Sequence, residues 1–339
     1  MEYKTQCRVL RGVGGLYYVC LADSDMHASL FPGTPSPLAG ASVCARARGS
    51  IRVEGGGKIK VGDIAEFVYT DNSFVLESGT PIPADDSSGL PEGAISAIMP
   101  RRNSLIRPPL SNLDLLVIVC AAAAPAPATE TIDKLLSVAE YHSIDAAVVI
   151  GKRELDPKTA DELYATYTRA KYPVFRLSCY EGTGVAEFSD YIKSALPGRV
   201  AAFAGASGVG KSTLINAVFP DMNLAAGEIS RKISRGKHTT RQAELFSLDI
   251  GGFLADTPGF SMIDFENFDF FPFEALPDTM REFTEHYGEC RYLDCSHTKE
   301  EGCAVLAAIE RGEIAPSRHE SYLSMYRILK AKPRWEKRQ

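Results

Sequence analysis

The sequence predicts a three-part protein: a small all-β domain, a doubly wound α/β domain with a phosphate-type glycine loop, and a helical segment around a cysteine cluster. Three observations carry this. Short, turn-punctuated strand patterns fill residues 1 to about 100, strand and helix patterns alternate from about Leu113, and the chain turns helical and charged past about Asp269. The expected domain limits are residues 1–100, 108–268 and 269–339. A length of 339 residues suits two or three domains.

In the first part, Cys7 to Leu10 and Leu16 to Leu21 flank Gly12-Val13-Gly14-Gly15, a hairpin signature. Further short strands fit Ser42 to Ala47, Ile51 to Val53, Ile64 to Tyr69 and Phe74 to Leu76. Such a set suggests a small barrel or sandwich, with an OB-fold β-barrel as one candidate. Barrels of that kind often bind RNA, but fold alone does not establish the function. Ser78 to Gly93, rich in Pro, Gly, Asp and Ser, reads as a long loop.

In the second part, Leu115 to Cys120 is an apolar run suited to a buried parallel strand. Thr129 to His142 has helical spacing through Ile132, Leu135, Leu136 and Ala139. Strands then fit Ala146 to Ile150, Val174 to Leu177, Val200 to Ala204, Leu245 to Ile250 and Phe253 to Ala255. Helices fit Ala160 to Lys171 and Val185 to Leu196 between them. This alternation implies a doubly wound α/β sheet.

Composition sets limits on function. Hydrophobic residues make up 45% and charged residues 24%, a soluble globular profile. A formal net charge of −6 argues against sequence-independent adhesion to nucleic acid, so any such contact needs a local basic patch. Two exist: Arg231, Lys232, Arg235, Lys237 and Arg241, and the C-terminal Lys330, Lys332, Arg334, Lys337 and Arg338. Either run alone reads first as a solvated face or frayed tail. The start, Met1-Glu2-Tyr3-Lys4, lacks the apolar stretch of a signal peptide. The apolar run Leu115 to Ala124 is too short to span a bilayer. Cysteines scattered among apolar residues, with three clustered near Cys290, suit buried thiols and a metal site in a reducing compartment. The expectation is a cytoplasmic protein with no membrane partner.

The chemistry begins at Gly205-Ala206-Ser207-Gly208-Val209-Gly210-Lys211-Ser212, between an apolar strand and the helical Thr213-Leu214-Ile215-Asn216. Glycines let successive backbone N–H groups turn inward on phosphate oxygens, aided by the helix N-terminus. Lys211 would reach the outer phosphates and Ser212 would give a hydroxyl to Mg²⁺. Asp256-Thr257-Pro258-Gly259 follows the apolar Phe253-Leu254-Ala255. There Asp256 can hold Mg²⁺ through its water shell while the Gly259 N–H senses the terminal phosphate. Lys237-His238-Thr239-Thr240 has the composition of a switch loop whose threonine ligates Mg²⁺. Spacing does not choose between Thr239 and Thr240, and Thr240 is preferred.

Cys290, Cys295, His297 and Cys303 offer three thiolates and one imidazole within fourteen residues, a complete tetrahedral set for one structural Zn²⁺. Base-recognition elements have no strand-helix pair left downstream. Upstream, the strand ending at Ile150 runs into Gly151-Lys152-Arg153-Glu154, and the strand ending at Leu177 runs into Ser178-Cys179. These positions correspond to the Asn-Lys-x-Asp and Ser-Ala guanine elements of GTPases, in circularly permuted order.

With these motifs and Arg101-Arg102-Asn103-Ser104-Leu105-Ile106-Arg107-Pro108, the chain resembles over nearly its whole length the circularly permuted GTPases that depend on the small ribosomal subunit, the RsgA family. The resemblance implies a GTPase that binds GTP/GDP and Mg²⁺ and acts in late maturation of the small ribosomal subunit, with turnover stimulated by the particle. It further implies rRNA contacts from the barrel and the zinc unit, no DNA partner and a monomer. Guanine contacts would come from Lys152, Glu154, Ser178 and Cys179. Catalysis would involve Lys211 and Thr240, with His238 either positioning water or contacting the docking surface. Phe260 stands where many GTPases place a water-orienting Gln, and a phenyl ring cannot orient water. The family's Asn or Thr is Gly151 here and its Asp is Glu154, so guanine preference is expected to be weakened. Trp335 could stack on a base or pack on the last helix. An RNA-binding assembly scaffold with a weakly selective or vestigial nucleotide site is the alternative. A small-molecule kinase would leave the barrel, the cysteine cluster and the upstream strand ends unexplained.

Overall fold

The computed structural model describes residues 2–21, 42–49, 51, 58–70, 74–77, 80–83, 93–222, 243–256 and 264–332. The first compact unit holds the described residues through Leu113, together with two later strands. Its elements are β1 (Glu2–Val13), β2 (Leu16–Leu21), β3 (Ser42–Ala47), β4 (Ile64–Thr70), β5 (Phe74–Glu77), β6 (Thr80–Pro83) and β7 (Gly93–Ile98). Five of them close a barrel in the order β1-β2-β3-β7-β4, the OB-like barrel of the expected fold class. Alternate residues point inward, as the two-residue period of a strand dictates: Cys7 and Val9, Val19 and Leu21, Val43 and Ala45, Ala65 and Phe67. Register shifts between Val9 and Arg11 and between Glu66 and Phe67 supply the bulges that bend strands into a closed barrel.

Several expectations change here. Phe74–Glu77 does not join the barrel but pairs with Thr80–Pro83 as a separate two-stranded ribbon. The closing strand is Gly93–Ile98, parallel to β3 and antiparallel to β4. A Cβ on Gly93 would lie 2.4 Å from the Phe67 ring and 2.6 Å from the Val68 carbonyl oxygen, so only glycine fits where this strand enters. Ile51 lies outside any strand, and the rest of the Ile51 to Val53 expectation falls outside the described residues.

The Arg101–Arg107 motif has a structural role in this unit. Arg101 pairs with the fully buried Asp63 at 2.7 Å, and the Ser111 hydroxyl donates to the same carboxylate at 2.6 Å. The Asn103 amide donates to the Leu113 carbonyl and its oxygen accepts from the Leu113 N–H, at 2.8 and 2.9 Å. Buried polar groups are thereby satisfied around a sharp turn.

The second unit starts at Asp114. It contains β8 (Leu115–Ala121), α1 (Thr129–Tyr141), β9 (Asp145–Gly151), α2 (Pro157–Arg169), β10 (Val174–Arg176), α3 (Val185–Ala195), β11 (Val200–Ala204) and α4 (Lys211–Val218). β12 (Glu244–Ser247) and β13 (Phe253–Asp256) are the two strands grouped with the first unit. The sheet runs β10-β9-β8-β11-β13-β12, with β10, β9, β8 and β11 parallel and β12 antiparallel to β13. Every residue of β8 and β11 is buried, which explains their unbroken apolar sequence: both faces are covered. Helix α2 begins three residues before its expected start. Asp156 caps it by accepting the Thr159 N–H at 3.0 Å, and Pro157 occupies the first turn.

Helices α5 (Arg281–Thr284), α6 (Ala304–Glu310) and α7 (Pro316–Ala331) complete the second unit. α7 packs on α1, where buried Arg318 pairs with Asp133 at 2.7 Å and with Glu282 of α5 at 2.7 Å. Among the described residues, no helix is long and apolar enough to cross a membrane.

Candidate functional site

The glycine loop leaves β11 and opens α4. Gly205, Gly208 and Gly210 have φ of +140°, +79° and +102°, conformations that L side chains rarely adopt. At Gly205 space forbids a side chain as well, since a Cβ would sit 2.1 Å from the Val119 carbonyl oxygen on β8. Lys211, the first residue of α4, folds back so that its ammonium donates to the carbonyls of Gly205 and Ala206 at 2.7 and 2.8 Å. Burial lowers its pKa from the usual lysine range. A half-buried cation held at the centre of a glycine loop, with a helix N-terminus behind it, is an arrangement for polyanionic phosphate. Ser212 is half-buried behind it, while Ser207 and Thr213 are exposed.

Beside this loop lies a cavity of about 270 Å³. Its floor comes from Val119, Leu177, Val209 and Leu214, and its rim from Lys152, Glu154, Cys179 and Tyr180. Val209, Gly210 and Thr213 line it too, so cavity and phosphate loop are continuous. Gly151 ends β9, and Lys152 follows in the left-handed region at φ +56° with its ammonium on the Ala124 carbonyl. Glu154 has one buried oxygen, Oε2, without a hydrogen-bond partner among the described residues. An unpaired buried acceptor is costly until a ligand or a rearrangement brings a donor to it. Burial pushes the Cys179 thiol up, and the nearby Glu154 charge adds to the effect. Ser178 is fully buried, and its hydroxyl accepts the Glu181 N–H at 3.1 Å. It fixes the turn; its side chain does not line the cavity.

Asp256 ends β13 almost completely buried, and its Oδ1 has no partner among the described residues. Burial, then the charge of Glu244, pushes its carboxyl up to about 7. An orphaned acid of this kind fits the water shell of a divalent cation, which would favour its charged form. His238, Thr239, Thr240, Gly259, Phe260 and Trp335 lie outside the described residues.

The ligand atoms of Cys290, Cys295, His297 and Cys303 all lie within 4.8 Å of one another. His297 Nδ1 is 3.7 Å from Cys290 Sγ and 3.5 Å from Cys303 Sγ. Burial and the neighbouring thiols push Cys295 up to about 12, so three thiolates at this spot need a cation to share their charge. The donor set therefore fits tetrahedral zinc with no position left open for chemistry. Outer contacts hold the ligands: the Ala304 N–H donates to Cys290 Sγ at 3.3 Å, and Phe283 meets the His297 ring edge-on.

Comparison with known proteins draws these parts together. The RsgA GTPase family matches residues 98–266. A small ribosomal subunit biogenesis GTPase RsgA from Ruminiclostridium cellulolyticum is 39% identical over 269 residues, 78% of this chain and 86% of that protein. One from Caldanaerobacter subterraneus subsp. tengcongensis is 35% identical over 330 residues, 97% of each chain. The chain belongs to the RsgA GTPase family. Two solved structures of like architecture are YjeQ from Thermotoga maritima, with TM-score 0.73 and 28% identity over 98% of this chain and 100% of that one, and YloQ, described as a circularly permuted GTPase, with TM-score 0.69 and 28% identity over 98% of each. As an RsgA-family GTPase, the chain is a GTP hydrolase. Sequence reasoning named Lys152, Glu154, Cys179, Val209, Gly210 and Thr213, and the structure gathers them around one cavity. It missed Leu155 and Tyr180 at the rim; the only signal was a bulky ring directly after the Ser178-Cys179 strand end.

Proposed function

We propose that this GTPase docks on the small ribosomal subunit through rRNA and hydrolyses GTP to GDP and phosphate late in the particle's maturation, with turnover stimulated by the particle. The observation that carries the nucleotide half is the continuity of the Lys211 loop with a cavity holding an unpaired acid, Glu154. The relatives named for small ribosomal subunit biogenesis support the partner. The backbone N–H groups of 205–211 and the Lys211 ammonium take the phosphates, and Lys211 offsets charge that builds on the transferred phosphoryl oxygens. Ser212, Thr240 and Asp256 would hold Mg²⁺, which supplies further charge neutralisation when bound. Thr239 and the Gly259 N–H attend the terminal phosphate, and Lys152, Glu154, Ser178 and Cys179 serve the base.

Phe260 removes the usual means of orienting water, so intrinsic turnover is slow and the particle completes the site, with His238 the nearest group to position water. One zinc ion on Cys290, Cys295, His297 and Cys303 is structural. The protein acts in the cytoplasm as a monomer, without DNA, and the barrel and the zinc unit contact rRNA. The test is hydrolysis of GTP beside ATP, with and without purified small ribosomal subunits. Stimulation of GTP turnover by the particle, absent for ATP, is expected. Equal and unstimulated rates would leave a scaffold with a vestigial site.

A further inference from the structure

Tyr180 is 91% exposed although it lines the cavity beside the phosphate loop. A large ring in that position, with no aromatic or cationic partner among the described residues, leaves much apolar surface in water. Its backbone is nevertheless fixed. The Ser178 N–H donates to the Thr183 carbonyl at 2.9 Å, closing a turn from 178 to 183, and the Glu181 N–H is held by the buried Ser178 hydroxyl. Gly184 anchors the far side: its φ is +72°, and a Cβ there would meet the Arg176 carbonyl oxygen at 2.3 Å. The ring thus stands at the edge of the cavity on a pinned turn, and Leu155, 56% exposed, lines the edge with it.

The opposite feature lies at Gly151. A Cβ there would rest 3.6 Å from both the Cys120 and the Val209 carbonyl oxygens, ordinary contact, so glycine is not imposed by lack of room. What glycine removes is any side-chain polar group at the end of β9. The cavity walls are mainly apolar, and the one unpaired buried polar side-chain atom among its described lining residues is Glu154 Oε2.

We infer that Tyr180 closes as a stacking lid on the face of the nucleotide's purine, so that the ring supplies base affinity that is indifferent to the base while Glu154 contributes discrimination. This rests on the GTP-binding reading of the same site. Stacking on an aromatic ring tolerates any base, because every base has a π-face, whereas a carboxylate distinguishes guanine by its two adjacent donors. The two contributions therefore separate by ligand.

Calorimetric titration of the full chain with GDP, ADP and inorganic pyrophosphate tests this, using wild type, Tyr180→Ala, Tyr180→Phe and Glu154→Gln. Tyr180→Ala is expected to weaken GDP and ADP alike by about tenfold, as loss of one base stack would. Pyrophosphate affinity should stay unchanged and Tyr180→Phe should behave as wild type. Glu154→Gln should narrow the gap between GDP and ADP. The exposed ring makes no fold-holding contact, so an unaltered melting temperature identifies these losses as binding effects. GDP binding to Tyr180→Ala within twofold of wild type would overturn the lid, as would an equal loss with pyrophosphate. Wild type that binds GDP no better than pyrophosphate would instead sink the nucleotide reading of the cavity.

Discussion

At Gly151 the chain has no side-chain amide, and the ordinary contact at its Cβ shows what an amide would reach. The Val209 carbonyl of the phosphate loop lies 3.6 Å from that Cβ position. An Asn there could donate to it and join the end of β9 to the phosphate loop. Gly151→Asn is therefore expected to tighten GDP by about fivefold, the worth of one net hydrogen bond of ~1 kcal/mol, without lowering stability. Titration of GDP into the variant checks it; unchanged or weaker binding would show that the two loops gain nothing from being joined. Gly205 gives the contrary case. Its φ of +140° and the Val119 oxygen 2.1 Å from a would-be Cβ leave no room for alanine. Gly205→Ala should abolish measurable GDP binding and cost roughly 1–3 kcal/mol of stability, read by titration and thermal melting.

Among the elements, those buried on both faces were legible in the sequence. β8 and β11 are uninterrupted apolar runs because nothing about them touches water, and α1 shows its inward stripe of Ile132, Leu135, Leu136 and Ala139 for the opposite reason. β7 was missed because Gly93-Ala94-Ile95-Ser96-Ala97-Ile98 has little strand propensity of its own; its place is set by Phe67 and Val68 across the barrel. The phosphate loop and the cysteine cluster were legible because their chemistry fixes residue type and spacing. Tyr180 was not, since only the pinned turn shows where its ring stands. The cysteine element also yields a prediction. α6 starts immediately after Cys303, and α7 is tied back to the cluster by the Tyr322 hydroxyl on the Ser296 carbonyl at 2.7 Å. Removing zinc with a chelator should expose the amides of α6 and the start of α7 to hydrogen exchange while the strands of the barrel keep their protection. Cys303→Ser should lose the stoichiometric zinc measured by atomic absorption. A chelated protein with unchanged exchange over 290–320 would show that packing alone orders this element.

At the scale of the whole molecule, the C-terminal helices are fastened to α1 through charge. Arg318 of α7, 1% exposed, bridges Asp133 of α1 and Glu282 of α5, also buried. Such a triad gains little over an apolar core but costs much when broken, because the remaining carboxylates are left buried and unpaired. Arg318→Ala should therefore destabilise by about 3–5 kcal/mol, whereas replacing Arg318, Asp133 and Glu282 together by apolar residues of like size should recover most of that loss. The pH dependence has a definite sign. Burial raises the Asp133 carboxyl above its ordinary range even with Arg318 pulling it down. In the native state it thus holds its proton more tightly than in the unfolded chain, and stability falls as pH rises from the unfolded value through the raised one. Without Arg318 the raised value moves further up, so that falling window widens. Thermal melts should show a larger gap between wild type and Arg318→Ala at about pH 8 than at about pH 5, where the abandoned Asp133 carboxylate can take a proton. A gap that is the same at both pH values would mean that the loss is one of packing volume, and that charge does not hold these helices to α1.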